Sequence, residues 1–117
     1  WFYVNQNYKD INVAQQDADP DSVLNFYRKA VALRKSLSCV RYGEYREYNK
    51  LSGKHYLYSM GDGQQKILVV CSFAKKNTPF RAPKDFRPED GELILCNYPK
   101  PLEGCLQPYE CRVYLWK

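Results

Sequence analysis

Residues 19 to 37, DPDSVLNFYRKAVALRKSL, are the only long stretch of this 117-residue chain with a helical hydrophobic period; the residues beyond it alternate in steps of two. That contrast restricts the fold to a helix laid on strands. Asp19 suits the helix cap, Pro20 the first helical position, where no amide is needed, and Asp21 the positive end of the dipole. Arg34 and Lys35 suit the other end. At about 100° per residue, Val23, Phe26, Tyr27, Ala30, Leu33 and Leu37 share one face, with Asn25, Arg28, Lys29, Ala32, Lys35 and Ser36 away from it. Arg34 falls inside the apolar arc, where a guanidinium is costly unless acceptors meet it. The expectation is that Arg34, with Phe26 and Tyr27, ties the helix to the strands behind it.

The strand-like part is punctuated by turn signals. Residues 66–73, KILVVCSF, are too short and too β-branched to prefer helix and read as the central strand. Gly61-Asp62-Gly63 before them tolerates the positive φ of a hairpin turn. Further strands are expected over residues 44–49, 55–60, 78–81, 92–97 and 111–116. Turns or breaks fall at Gly43, Ser52-Gly53, Pro83, Pro99, Pro101 and Gly104. Residues 38–42 read as a connector. Residues 1–18 show no sustained period, and Trp1, Phe2, Tyr3 and Tyr8 imply a surface for that arm to lie against. The predicted fold is mainly β: an antiparallel β-sandwich preceded by one packed α-helix and an irregular N-terminal arm.

Composition narrows the function classes. With 44% hydrophobic and 26% charged residues the chain is an ordinary globular one. It can build one modest core but not a large catalytic barrel, which takes about 250 residues. No apolar run approaches the roughly 20 residues that span a bilayer, so no membrane partner is expected. The start at Trp1 shows neither an initiator Met nor a secretion signal, and the chain reads as a piece of a longer protein. Its net charge of +5 is spread beside acids over the helix, turns and last strand. That is a solvated surface rather than the one-sided basic stripe of a nucleic-acid binder.

The usual chemistry is missing. Five cysteines, Cys39, Cys71, Cys96, Cys105 and Cys111, include no CxxC, and His55 is the only histidine, so no metal or cofactor site is expected. Reduced thiols point to a cytoplasmic protein. There is no glycine-rich phosphate loop, GxSxG elbow or HExxH helix. Asp17 with Asp19, and Glu89 with Asp90, sit in polar turn sequence as solvated carboxylates or caps. Tyr42, Tyr45, Tyr48, Tyr56 and Tyr58 could form an aromatic platform for sugar rings, but alternating tyrosines on a half-buried sheet produce the same pattern. Residue chemistry alone leads to a helix-plus-sandwich domain without a catalytic residue.

A resemblance carries the reading further. Trp1, Val4-Asn5, Asn7-Tyr8, Ile11-Asn12-Val13, Asp19-Pro20-Asp21-Ser22, Tyr27 and Leu33-Arg34-Lys35 match the pattern PWxPVNPNYxxINVxxxxxDPDSxxxxYxxLIxLRK. The chain thereby resembles glycoside hydrolase family 13 in its oligo-1,6-glucosidase and α-glucosidase branch. The likeness continues through Tyr42-Gly43 and Tyr45, ILVVCSF for the family's LLVxxNF, ELILCNY for ELLLSNY and LQPYECRVYLWK for LRPYEARVYxLK. Tyr3 and Gln6 stand where the family tends to have Pro, Ser72 where it has Asn and Gln107 where it has Arg. Cysteines replace small or apolar residues.

The resemblance implies that residues 1–38 are a remnant of the catalytic (β/α)₈ barrel, a loop plus its last helix at about 20–37. Residues 39–117 would be the C-terminal antiparallel β-sandwich domain. The family's catalytic carboxylates would lie upstream of Trp1, so none is carried over to any residue here. The implied parent is a retaining α-glucosidase of short oligosaccharides, in which one carboxylate attacks the anomeric carbon and another protonates the leaving oxygen. Its implied partners are the barrel of its own chain and the parent's oligosaccharide substrate, and the piece alone is expected to be inactive. A carbohydrate-binding module, a sucrose isomerase and a non-enzymatic relative with the same β domain are the alternatives.

Overall fold

Strand β3, Lys66–Ser72, loses both its faces to the interior: Ile67, Leu68, Val69 and Val70 are all buried. It lies at the middle of a five-stranded sheet ordered β1-β2-β3-β7-β5, with β1 at Glu44–Tyr48, β2 at His55–Gly61, β5 at Glu92–Cys96 and β7 at Cys111–Trp116. Every pairing is antiparallel. The computed structural model describes residues 2–48 and 52–117. Trp1, the end of the strand expected over residues 44–49 and the approach to the turn at Ser52 lie outside the described residues.

Local chemistry explains the β2–β3 hairpin. The Asp62 amide donates to the Gln65 carbonyl at 3.1 Å, Gly63 takes φ of +86°, and Asp62 Oδ1 accepts from the amides of Gln64 and Gln65. Asp62 Oδ2 also accepts from the Ser38 hydroxyl, tying the hairpin tip to the helical segment. At the other edge, the register between β5 and β7 slips between Leu93 and Leu95.

The sheet buries its two faces against different material. On one, Leu57, Leu68, Val70 and Trp116 join Phe86 and Leu106, with Tyr48, Phe80, Ala82 and Tyr114 at the margin. The covering layer is a two-stranded ribbon, β4 at Thr78–Pro79 with β6 at Cys105–Leu106, and the loops around it. The six expected strands are present, joined by the short β6 that the sequence did not mark, and the seven fall as five and two rather than as two comparable layers. Pro79, Pro83, Pro99 and Pro101 remove ladder donors along residues 78–106, which leaves that layer largely irregular.

On the opposite face, Leu37 and Cys39 are buried with Ile67, Val69 and Leu115, and Leu33 and Val40 pack against them. These residues come from helix α2, Val23–Ser36, and the short helix α3, Ser38–Tyr42, which replaces the expected connector. Helix α2 starts later than expected. Ser22 caps it through the Asn25 amide at 3.2 Å, while Asp19 accepts from the Asp21 amide in the turn before. Nor is the arm irregular throughout: it holds a 3-10 turn, Gln6–Lys9, and helix α1, Val13–Ala18. Asn5 and Asn12 cap these, accepting from the amides of Asn7 and Gln15. The Asn residues that dilute any apolar period are thus the ones that start the helices.

Gly43 joins α3 to β1 where no side chain fits. A Cβ there would run into the Cys39 carbonyl oxygen and lie 2.9 Å from backbone atoms of Gly61. The contact is a packing requirement, since Gly43 itself has an ordinary negative φ.

Candidate functional site

The first two helices form a fixed corner. The Ser22 hydroxyl donates to the Gln16 carbonyl at 2.6 Å, Gln16 Oε1 accepts from the Leu24 amide, and Asn25 Nδ2 donates to the carbonyls of Gln16, Asp17 and Asp19. Arg28 pairs with Asp17 outside the corner. This corner holds apolar side chains in the open. Val23 is 80% and Tyr27 69% exposed, and Val4, Tyr8, Ile11 and Val13 are exposed with them. Scattered apolar residues are normal on a surface, but their concentration on one consecutive segment marks a contact face.

The expected tie divides among its residues. Phe26 is half-buried and borders a hollow of about 500 Å³ with Lys29, Asn97, Tyr98 and Pro99. Tyr27 points away from the sheet. Arg34 is exposed and makes no hydrogen bond or ion pair among the described residues, so neither it nor Tyr27 fastens the helix to the sheet. The attachment is apolar, through Leu33, Leu37, Cys39 and Val40. Only the C-terminal end of α2 reaches the core, and the part of the arc holding Val23 and Tyr27 faces outward.

The buried guanidinium expected on the helix sits instead on β7. Arg112 is 3% exposed and Glu110 0%, with Nε donating to Glu110 Oε1 at 2.7 Å and Nη2 to Oε2 at 2.9 Å. Nη2 also donates to the Cys105 carbonyl, Nη1 to the Tyr114 hydroxyl, and the Gln107 amide to Glu110 Oε2 at 2.7 Å. Burial pushes the Glu110 carboxyl up, but the bonds from Arg112 and the Gln107 amide outweigh it and leave the group below its usual range. With its acceptors filled, this buried pair joins β7 to the β6 ribbon.

Of the five tyrosines expected in a platform, three come together. The Tyr45 and Tyr58 ring centroids are 5.4 Å apart, those of Tyr56 and Tyr58 5.5 Å, and the Tyr45 and Tyr56 hydroxyls meet at 2.8 Å. Tyr48 lies on the opposite face, edge-on to Phe86, because one residue along a strand reverses the side. Tyr42 sits on α3 beneath the Arg41 guanidinium. His55 faces Thr78 at 2.7 Å, and burial lowers its pKa. Glu89 and Asp90 are exposed. Among the described residues, no group of three or more His, Cys, Asp or Glu could hold a metal. Nor is any helix there long and apolar enough to cross a membrane.

Comparisons with known proteins place the chain. The α-amylase catalytic-domain model matches residues 1–43. Oligo-1,6-glucosidase of Halalkalibacterium halodurans is 36% identical over 122 residues, covering 100% of this chain and 22% of that protein. An α-glucosidase of Candida albicans is 33% identical, covering 98% and 20%. Trehalose-6-phosphate hydrolase of Bacillus licheniformis superposes with a TM-score of 0.88 at 31% identity, over 100% of this chain and 22% of that one. Isomaltulose synthase of Klebsiella sp. LX3 gives 0.88 at 28%, over 98% and 21%. The chain thus spans about a fifth of the length of the relatives it matches. On the residues shared from end to end with such relatives, the chain belongs to glycoside hydrolase family 13, on its oligo-1,6-glucosidase and α-glucosidase side.

Proposed function

We propose that this chain is the non-catalytic closing part of a retaining α-glucosidase of oligo-1,6-glucosidase type, which cleaves α-glucosidic bonds of short oligosaccharides. Residues 1–38 belong with the catalytic barrel as loop and last helix, and residues 39–117 form the β domain that braces it. The reading is carried by the open apolar face of α1 and α2, on which Val13, Val23 and Tyr27 are all well exposed, next to the exposed Val4, Tyr8 and Ile11 of the preceding arm. The catalytic-domain match ending at residue 43, next to the start of β1 at Glu44, supports the division. The five free cysteines support a cytoplasmic setting.

In the parent, one barrel carboxylate attacks the anomeric carbon, a second protonates the leaving oxygen, and water resolves the glycosyl intermediate. This chain contributes position only: Leu33 and Leu37 seat the helix on the sheet, which holds its outer face toward the barrel. The test is complementation. The chain alone should not turn over p-nitrophenyl α-glucoside or isomaltose. Mixed with the H. halodurans oligo-1,6-glucosidase truncated before its matching segment, it should restore turnover. Hydrolysis by the chain alone, or no association with the truncated barrel, would overturn the proposal. The likeness to isomaltulose synthase favours isomerisation as a second reading, which product analysis on sucrose with the parent separates from hydrolysis.

A further inference from the structure

Two thiols at the middle of the sheet serve neither the fold's ion pair nor the proposed contact face. Cys71 on β3 and Cys111 on β7 are direct cross-strand partners, with their sulfurs 3.4 Å apart. The backbone around them shows which kind of pair this is. The Cys111 amide donates to Asn97 Oδ1 at 2.7 Å and its carbonyl accepts from the Asn97 amide at 3.3 Å, so both groups are directed toward β5 and away from Cys71. One step along, the Ser72 amide donates to the Glu110 carbonyl at 2.8 Å. Hydrogen-bonded and non-hydrogen-bonded pairs alternate in an antiparallel ladder, which makes Cys71 and Cys111 a non-hydrogen-bonded pair. At such a pair the Cα atoms approach to about 4.5 Å and the side chains come closest. A disulfide accepts Cα separations from about 4.4 Å and needs its sulfurs at about 2.05 Å. Side-chain rotation can close the remaining gap without a strand slip.

The surroundings leave the pair reachable. Both cysteines are half-buried, and Tyr56, opposite Cys71 on β2, is itself exposed. Cys39 is fully buried, Cys96 contacts Glu110 Oε1, and Cys105 contacts the Leu106 carbonyl. Among the described residues, no other two thiols touch. The bond shared with Cys111 lowers the Cys71 thiol from its ordinary value against the opposing effect of burial, and raises Cys111. Either sulfur can attack first, and its neighbour 3.4 Å away then resolves the mixed disulfide.

We propose that Cys71 and Cys111 are a redox modification site that forms a reversible cross-strand disulfide with a low-molecular-weight disulfide, such as oxidised glutathione, as oxidant. With Cys71 as the attacking thiol, its thiolate attacks one glutathione sulfur, forming a mixed disulfide and expelling one glutathione thiolate; attack by Cys111 is the mirror route to the same bridge. The Cys111 thiolate attacks the Cys71 sulfur, forming the protein disulfide and expelling the second. The two protons lost by the cysteines end on the two departing thiolates, so the protein is oxidised by two electrons and one oxidised glutathione becomes two reduced ones. The bridge links residues 40 apart in sequence, constrains the unfolded chain and raises the melting midpoint by several degrees.

The native chain is equilibrated in buffers of set reduced-to-oxidised glutathione ratio, acid-quenched, denatured, alkylated and weighed. At oxidising ratios, three of the five cysteines should take the alkyl label. A digest cleaving after Tyr109, which separates Cys105 from Cys111, should yield one linked peptide pair joining Cys71 to Cys111. Excess reduced glutathione should restore five labels. Cys105→Ser should keep the link, and Cys71→Ser or Cys111→Ser should abolish it; if either variant fails to fold, the wild-type linked peptide decides alone. Five labels at every ratio, a link between another pair, or glutathione persisting on Cys71 would each overturn the proposal.

Discussion

Strand β3 and helix α2 are the two most patterned segments of the chain, yet five of the seven β3 residues are buried and none of the fourteen in α2. The strand finds partners on both faces, Phe86 and Leu106 from later in the chain on one and Leu37 and Cys39 from earlier in it on the other. The helix finds them only at its C-terminal end. A hydrophobic face is a demand for cover, and nothing in the pattern says that the same stretch of chain supplies it.

Mutations in the two regions should differ in cost. The largest effect should come from the sheet side. Arg112→Met leaves Glu110 buried and unpaired and should cost ~3–5 kcal/mol in urea unfolding, with the β6 ribbon losing amide protection first. At the junction, Leu37→Ala should cost about 2–4 kcal/mol, because that side chain is buried between helix and sheet. Tyr27→Ser should move stability by less than about 0.5 kcal/mol in this chain. A loss from Tyr27→Ser as large as that from Leu37→Ala would erase the distinction between the two ends of α2.

The smallest effect is in the acid dependence. Because the folded Glu110 lies below its ordinary value of 4.5, its contribution is complete above about that pH and falls away as pH drops through the lower folded value. The stability difference between the wild type and Glu110→Gln should shrink from pH 5 toward pH 3, as followed by thermal midpoints. A difference that grew on acidification would reverse that sign.

Much of the sheet is legible in the sequence because its signals are local. The Gly61-Asp62-Gly63 turn, the β-branched run of β3 and the alternation in CRVYLW each need only a few neighbours to act. The second layer is less regular than its apolar residues suggest, since such residues between prolines can cover a sheet without forming strands. Helix α1 escapes a periodicity search because six residues are too few to show a period, and its cap Asn12, like Asn5 before it, looks like a loop residue.

The buried arginine lies away from its expected place. Arg34 is exposed although Leu33 and Leu37 on either side of it pack on the sheet; Arg112 alternates onto one face with Tyr114 and Trp116, and Glu110 precedes it on the same side. An acid and a base two apart in an apolar strand are the available signal. The family is legible from motif spacing across the whole chain, whereas residue chemistry alone yields no active site.

Gly43 turns the linkage between helices and sheet into a joint without slack. Two backbone segments, the end of α3 and the end of β2, meet where only a hydrogen fits, so the helical part leaves the sheet at a point set by main chain, while Leu33, Leu37 and Val40 seat α2 above it. Whatever docks on that helix inherits the sheet's orientation, and drift in the surrounding apolar residues can alter how firmly the lever is held without moving its pivot.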